Sequence, residues 1–234
     1  MGQQTGIVER EVQLRASDGA ALPVYIAEPA GAPSAPRMVI APEIFGVSPW
    51  VKSVAQRLAR EGFRAAAPEI FARDTEPIGE DMQGWMARIR RLDIPQAVRD
   101  LRLALDSLQG GPAGSIGFCL GGALSILTAA EGGLAACVDC YGRPRWMVET
   151  PAPHAIDAAR RIRCPVLGIY GKRDSGIPVE AAEELRAALP QGSELVFYDA
   201  GHAFLNDTRP DRYDANAATL AWPKIIGFLR RNLA

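Results

Sequence analysis

Two histidines and four cysteines are all that this 234-residue chain offers for imidazole or thiol chemistry. Four cysteines are too few for a disulfide framework at this length. The opening "MGQQTGIVEREV" holds charges and no apolar h-region, so a reducing, cytoplasmic setting is expected. Gly6 stands where an N-myristoylation pattern needs Ser or Thr, which sets that modification aside. No apolar run approaches the length of a bilayer span, so no membrane partner is expected. Neither sign of charge dominates. Twenty-six Lys and Arg against 27 Asp and Glu leave a formal net charge of −1 with no basic cluster, which removes the electrostatic footprint of a nucleic-acid binder. Internal repeats and low-complexity tracts are also missing.

What is present suits a globular core, with 48% hydrophobic and 23% charged residues. A single domain over 1–234 is the expectation. "VQLRASDGAALPVYIAEP" alternates about Asp18-Gly19 and reads as an antiparallel hairpin at a sheet edge. Short apolar runs then alternate with amphipathic stretches: "RMVIA", "FRAAAPEI", "GSIGF", "LAACVDCYG", "CPVLGIYG" and "ELVFYDA" as strands, with helices between them and a last helix containing Pro223. Strands too continuously apolar to be wet on either face imply a mainly parallel sheet covered by helices on both sides, an α/β fold. Segments 73–92 and 143–161 break the alternation. They are expected as irregular pieces over the C-terminal edge of the sheet, where such folds bind ligands.

"GSIGFCLGGALSIL" places Cys119 where a strand becomes a helix, in a position that ordinarily carries a Ser, Asp or Asn cap. Gly117-Phe118-Cys119-Leu120-Gly121 is a G-x-C-x-G form of the nucleophile elbow. That sharp turn needs small residues two before and two after the nucleophile. A thiol at a helix N-terminus also gains from the unpaired N–H groups and the dipole, which favour the thiolate. Cys137 and Cys140 form a C-x-x-C, but in a buried strand positions three apart point to opposite faces, so a structural role is expected.

A thiol nucleophile requires a base and an orienting acid, which follow it in that fold in the order nucleophile, acid, histidine. His202, in "FYDAGHAF", follows the last strand, where the base belongs, whereas His154 lies in an irregular stretch upstream of the acid. Asp174, in "YGKRDSGIP", leaves the preceding strand and is favoured over Asp199, whose loop would have to fold back on itself. Glu43, in "APEIFG", ends an early strand at the same edge, and a half-buried carboxylate there could exchange a proton with the thiol. The oxyanion donors of this architecture would be the N–H groups of Leu120 and Ile44. Ser115, in a degenerate G-x-S-x-G, would be buried in its strand.

Together "PEIFG", "APEIFAR", "IGFCLGGAL", "YGKRDSGIP" and "AGHAF" resemble the dienelactone hydrolases (carboxymethylenebutenolidases) over nearly the whole chain. The resemblance implies an α/β-hydrolase fold and a Cys-His-Asp triad cleaving a small lactone or ester, with no metal or organic cofactor. It further implies a glutamate, here Glu43, paired with the resting thiol and displaced by substrate. Phe45, Trp85 and Tyr141 match pocket-lining positions. Asn206 stands where the best-known members carry an arginine for the substrate carboxylate. Arg209 lies further on, and Arg73, Arg88, Arg90 and Arg91 are candidates for a second cation. A monomer is expected. The reading from another class is a redox-sensing or binding protein with a reactive Cys119 and little turnover.

Overall fold

Every residue of the fifth strand is buried, and its side chains alternate between two helical layers. The computed structural model describes residues 6–79 and 81–234. The strands are β1 Ile7–Arg15, β2 Ala21–Pro29, β3 Arg37–Ala41, β4 Arg64–Pro68, β5 Ala113–Phe118, β6 Ala136–Cys140, β7 Val166–Gly171 and β8 Glu194–Tyr198. The helices are α1 Pro49–Arg60, α2 Met82–Arg91, α3 Ile94–Asp106, α4 Leu120–Ala130, α5 Ala155–Ala159, α6 Val179–Ala188 and α7 Ala215–Asn232. On β5, Ser115 accepts a hydrogen bond from Ser125 of α4 at 2.8 Å. Phe118, of opposite parity, packs on Trp50 of α1 and Trp222 of α7, with centroids 4.7 and 6.4 Å away. Opposite parity on a strand means opposite faces, so helices cover both.

The eight strands run in the order β1-β2-β4-β3-β5-β6-β7-β8. β1 pairs antiparallel with β2 and β2 antiparallel with β4, while β4, β3 and β5 through β8 are parallel. The expected hairpin is there: Gly19 has φ 85° and the Asp18 carboxylate accepts from Ala20 N–H at 3.1 Å. β1 alternates wet and half-buried positions, as an edge strand with one solvated face should. Among the described residues no helix is long and apolar enough to cross a membrane.

The segments expected to be irregular each contain a helix. α2 lies within 73–92, capped by Asp81, whose carboxylate accepts from Gly84 N–H at 2.8 Å. The short α5 lies within 143–161. Pro223 stands inside α7 without ending it.

The chain leaves β3 toward β4 and leaves β5 toward β6, so the loops above these two neighbouring strands diverge and open a crevice. The register aligns Ala41 of β3 with Gly117 of β5. Glu43 and Cys119 each follow two residues later, so they emerge at the same height. Closeness here is extreme: a Cβ on Gly117 would lie 1.8 Å from Gly121 O, and one on Gly121 would lie 2.0 Å from Ala41 O. Gly121 O cannot retreat without disturbing the first turn of α4, nor Ala41 O without disturbing the end of β3. Gly121→Ala is therefore expected to destabilise the protein by about 3 kcal/mol, lowering its Tm by roughly 10 °C. Thermal unfolding checks this, with the exposed replacement Gly6→Ala, whose Cβ would meet nothing within 4 Å, as the comparison.

Candidate active site

Cys119 adopts φ 56° and ψ −118°, a backbone region that side-chain-bearing residues rarely occupy. Such strain costs on the order of 1–3 kcal/mol and persists only where surrounding bonds impose it. Here Cys119 N–H donates to Cys140 O at 3.0 Å, and Gly122 N–H donates to Cys119 O at 3.0 Å. The turn lifts the thiol out of the sheet to the N-terminus of α4, a helix buried almost all round. Cys119 makes no side-chain cap bond to that helix. It is half-buried, while Cys137, Cys140 and Cys164 are buried and free. Burial drives the Cys137 and Cys140 thiols up, Cys137 to about 12, so these two stay protonated.

The acid and the base come from the next loops along the sheet. Asp174 follows β7 and is held from two sides: Gly176 N–H and Ile177 N–H donate to Oδ1 at 2.8 and 3.1 Å. Its Oδ2 faces His202 Nδ1 at 2.6 Å. With a carboxylate accepting there, Nδ1 carries the proton and Nε2 is left for the cavity. Burial opposes the imidazolium, but the facing Cys119 and the Asp174 carboxylate outweigh it and raise the His202 pKa to about 10.

Glu43 follows β3 and is 3% exposed. Burial pushes its carboxyl up to about 7, against the opposing effects of an Asn206 hydrogen bond and of His202 and Arg209. Tyr141 follows β6 at φ 45°, with its ring edge-on to His202, 5.2 Å between centroids. Its hydroxyl is buried without a hydrogen-bond partner. Below it, the buried Asp139 carboxylate accepts from Tyr170 OH at 2.5 Å and from Gly142 N–H at 2.8 Å, fixing the loop that carries Tyr141.

All nine residues expected from the sequence, namely Glu43, Ile44, Phe45, Trp85, Cys119, Leu120, Tyr141, Asp174 and His202, line one cavity of about 240 Å³. The alternatives lie elsewhere. His154 Nδ1 accepts from Trp146 N–H at 2.9 Å, Asp199 pairs with Arg173 at 3.0 Å, and Ser115 is sealed in β5. A larger groove of about 520 Å³, rimmed by Arg57, Glu61, Trp222 and Arg230, contains no cysteine or histidine.

Sequence reading missed part of the wall. Met82, Met86 and Ile89 of α2 join Trp85 there, at a helical spacing that was legible. The cavity's guanidiniums are Arg143, Arg209 and Arg212, whereas Arg73, Arg88, Arg90 and Arg91 are outside its lining. Arg73 is held by Asp18 and Asp100, and Arg91 by Asp74. Arg209 lies over the rings of Phe45 and Trp85, at 5.3 and 5.5 Å.

A model of the dienelactone hydrolase family matches residues 22–233. A Salmonella typhimurium protein provisionally named as a carboxymethylenebutenolidase is 35% identical over 225 residues, 90% of this chain and 83% of that one. The carboxymethylenebutenolidase of Rhodococcus opacus is 31% identical over 206 residues, 84% of this chain and 81% of that one. The crystal structure of a provisionally assigned dienelactone hydrolase from Klebsiella pneumoniae superposes with a TM-score of 0.89 at 29% identity, covering 96% of this chain and 99% of that one.

The raised pKa of Glu43 has a consequence for stability. Between the ordinary value of 4.5 and about 7 the folded chain binds a proton that the unfolded chain has released, so the contribution of Glu43 is lost as pH rises through that window. Glu43→Gln is expected to be more stable than the wild type at pH 8 by up to about 3 kcal/mol, with the gap closing below pH 5. Denaturant unfolding at the two pH values measures it.

Proposed function

The chain belongs to the dienelactone hydrolase family, and we propose on that premise that it cleaves small esters or lactones through Cys119, Asp174 and His202 by way of an acyl-thioenzyme. It is a dienelactone hydrolase-like hydrolase. One observation carries it: a thiol on a strained elbow shares a cavity with a histidine already oriented by a buried aspartate.

In this reading Glu43, whose pKa lies near neutrality, takes the Cys119 proton as substrate enters. The sulfur attacks the acyl carbon, and the N–H groups of Leu120 and Ile44 hold the oxyanion. The C–O bond breaks, the electron pair leaves on oxygen, and His202 Nε2 supplies the proton that oxygen takes up. Water, deprotonated by His202, then cleaves the thioester and returns acid and thiol. Thiolates expel phenolates and enolates readily but amines poorly, so ester activity exceeds amide activity. Phe45, Trp85 and Tyr141 form the substrate wall.

Two experiments follow. Hydrolysis of p-nitrophenyl acetate and of a carboxylated enol lactone is compared in wild type and Cys119→Ala. Turnover of both with a dead variant is expected, and an active variant would sink the reading. Stoichiometric thiol modification without turnover would favour the sensor instead. Separately, Asp174→Asn is expected to lower kcat by about 10³-fold or more by removing the carboxylate that orients His202, with KM little changed. A loss under tenfold would contradict that role.

A further inference from the structure

Asn206 is 2% exposed, and both ends of its amide are engaged. Thr208 N–H donates to Oδ1 at 3.1 Å, and the Thr208 hydroxyl donates to the same oxygen at 2.7 Å. With the oxygen's two acceptor positions occupied, the amide has one orientation, and it turns Nδ2 onto the Glu43 carboxylate, donating to Oε2 at 2.9 Å. Asn206 is itself fixed to the turn beyond His202, its N–H donating to Ala203 O at 3.0 Å. Among the described residues no other side chain hydrogen-bonds this carboxylate.

The remaining groups around Glu43 act without touching it. Cys119 stands at the end of β5, and Tyr141, a neutral phenol whose own ionisation burial opposes, at the end of β6. Asp174, after β7, is occupied by His202, and His202 by Asp174. Arg209, on the same loop as Asn206, pairs with Asp211 at 3.3 Å. Glu69, after β4, accepts from Val47 N–H at 2.8 Å and Phe71 N–H at 3.2 Å. The direct partner of Glu43 is thus a neutral amide. A guanidinium there would hold the carboxylate permanently ionised, whereas an amide favours the ionised form by one hydrogen bond and still lets it take a proton.

We propose that Asn206, oriented by Thr208, is the positioning residue that holds Glu43 toward Cys119 and sets the pH at which this carboxylate can accept the thiol proton. The proposal rests on the reading that Glu43 and Cys119 exchange a proton. It gives the Asn206-x-Thr208 stretch a task distinct from binding the substrate.

Glu43 can be titrated directly by difference infrared spectroscopy, its carboxyl band identified by its loss in Glu43→Gln. Removing a donor to the ionised form raises a carboxyl pKa, so Asn206→Leu is expected to move the midpoint up by about one pH unit. Thr208→Val removes one of the two bonds that orient the amide and leaves the backbone one, and is expected to move the midpoint the same way by less. This second variant keeps the question answerable should Asn206→Leu fail to fold. The acid limb of kcat/KM should rise in step. Midpoints unchanged in the folded variants would overturn the proposal. A midpoint that moves while the rate limb stays would preserve the Asn206–Glu43 coupling and overturn the proton exchange, separating failure of the positioning role from failure of the wider reading.

Discussion

Three backbones meet at the C-terminal edge of the central strands, and only residues without a Cβ let them do so. Gly117 against Gly121, and Gly121 against Ala41, bring the β5 turn under the β3 loop. That contact sets the height of Cys119, which adopts a positive φ there, and the register brings Glu43 out at the same height. The flanking strands continue the same edge: Phe118 registers with Cys140, so Tyr141 rises next to Cys119, and Gly171 registers with Tyr198 shortly before Asp174 and His202. The site is therefore a property of sheet register, with loops only completing it.

Burial then sorts the ionisable groups. Asp174 is held ready for His202 by two backbone N–H donors. Glu43 has one amide donor and is pushed toward neutrality. Two carboxylates at one edge thus have different surroundings: Asp174 faces a histidine and two backbone donors, whereas Glu43 faces a single side-chain amide and burial pushes its carboxyl up.

Much of this was legible along the chain. Apolar runs punctuated by Gly and Pro marked the strands, Asp18-Gly19 marked the hairpin, and a chain with two histidines left His202 little competition for the place facing Asp174. The helix α2 was harder to see. Gly84 lowers its helix propensity, and a Cβ there would lie 2.5 Å from Gly79 Cα, where the chain enters the helix. Arg209 over Phe45 and Trp85, and Asn206 against Glu43, join residues from distant parts of the chain, and no local pattern encodes such a pairing. Asn206 stands out in the sequence as a departure from the family, while its partner Glu43 is set by the folded loops.

The central claim is that the constrained elbow presents Cys119 as the attacking group. Mixing the wild-type protein with p-nitrophenyl acetate, quenching in acid within the first turnover and mapping the adduct by peptide mass spectrometry tests it most directly. An acetyl thioester on Cys119 that appears with the nitrophenolate burst and disappears on further incubation is the predicted result. An acetyl group on Ser115 or another side chain, or turnover with Cys119 never acylated, would contradict it.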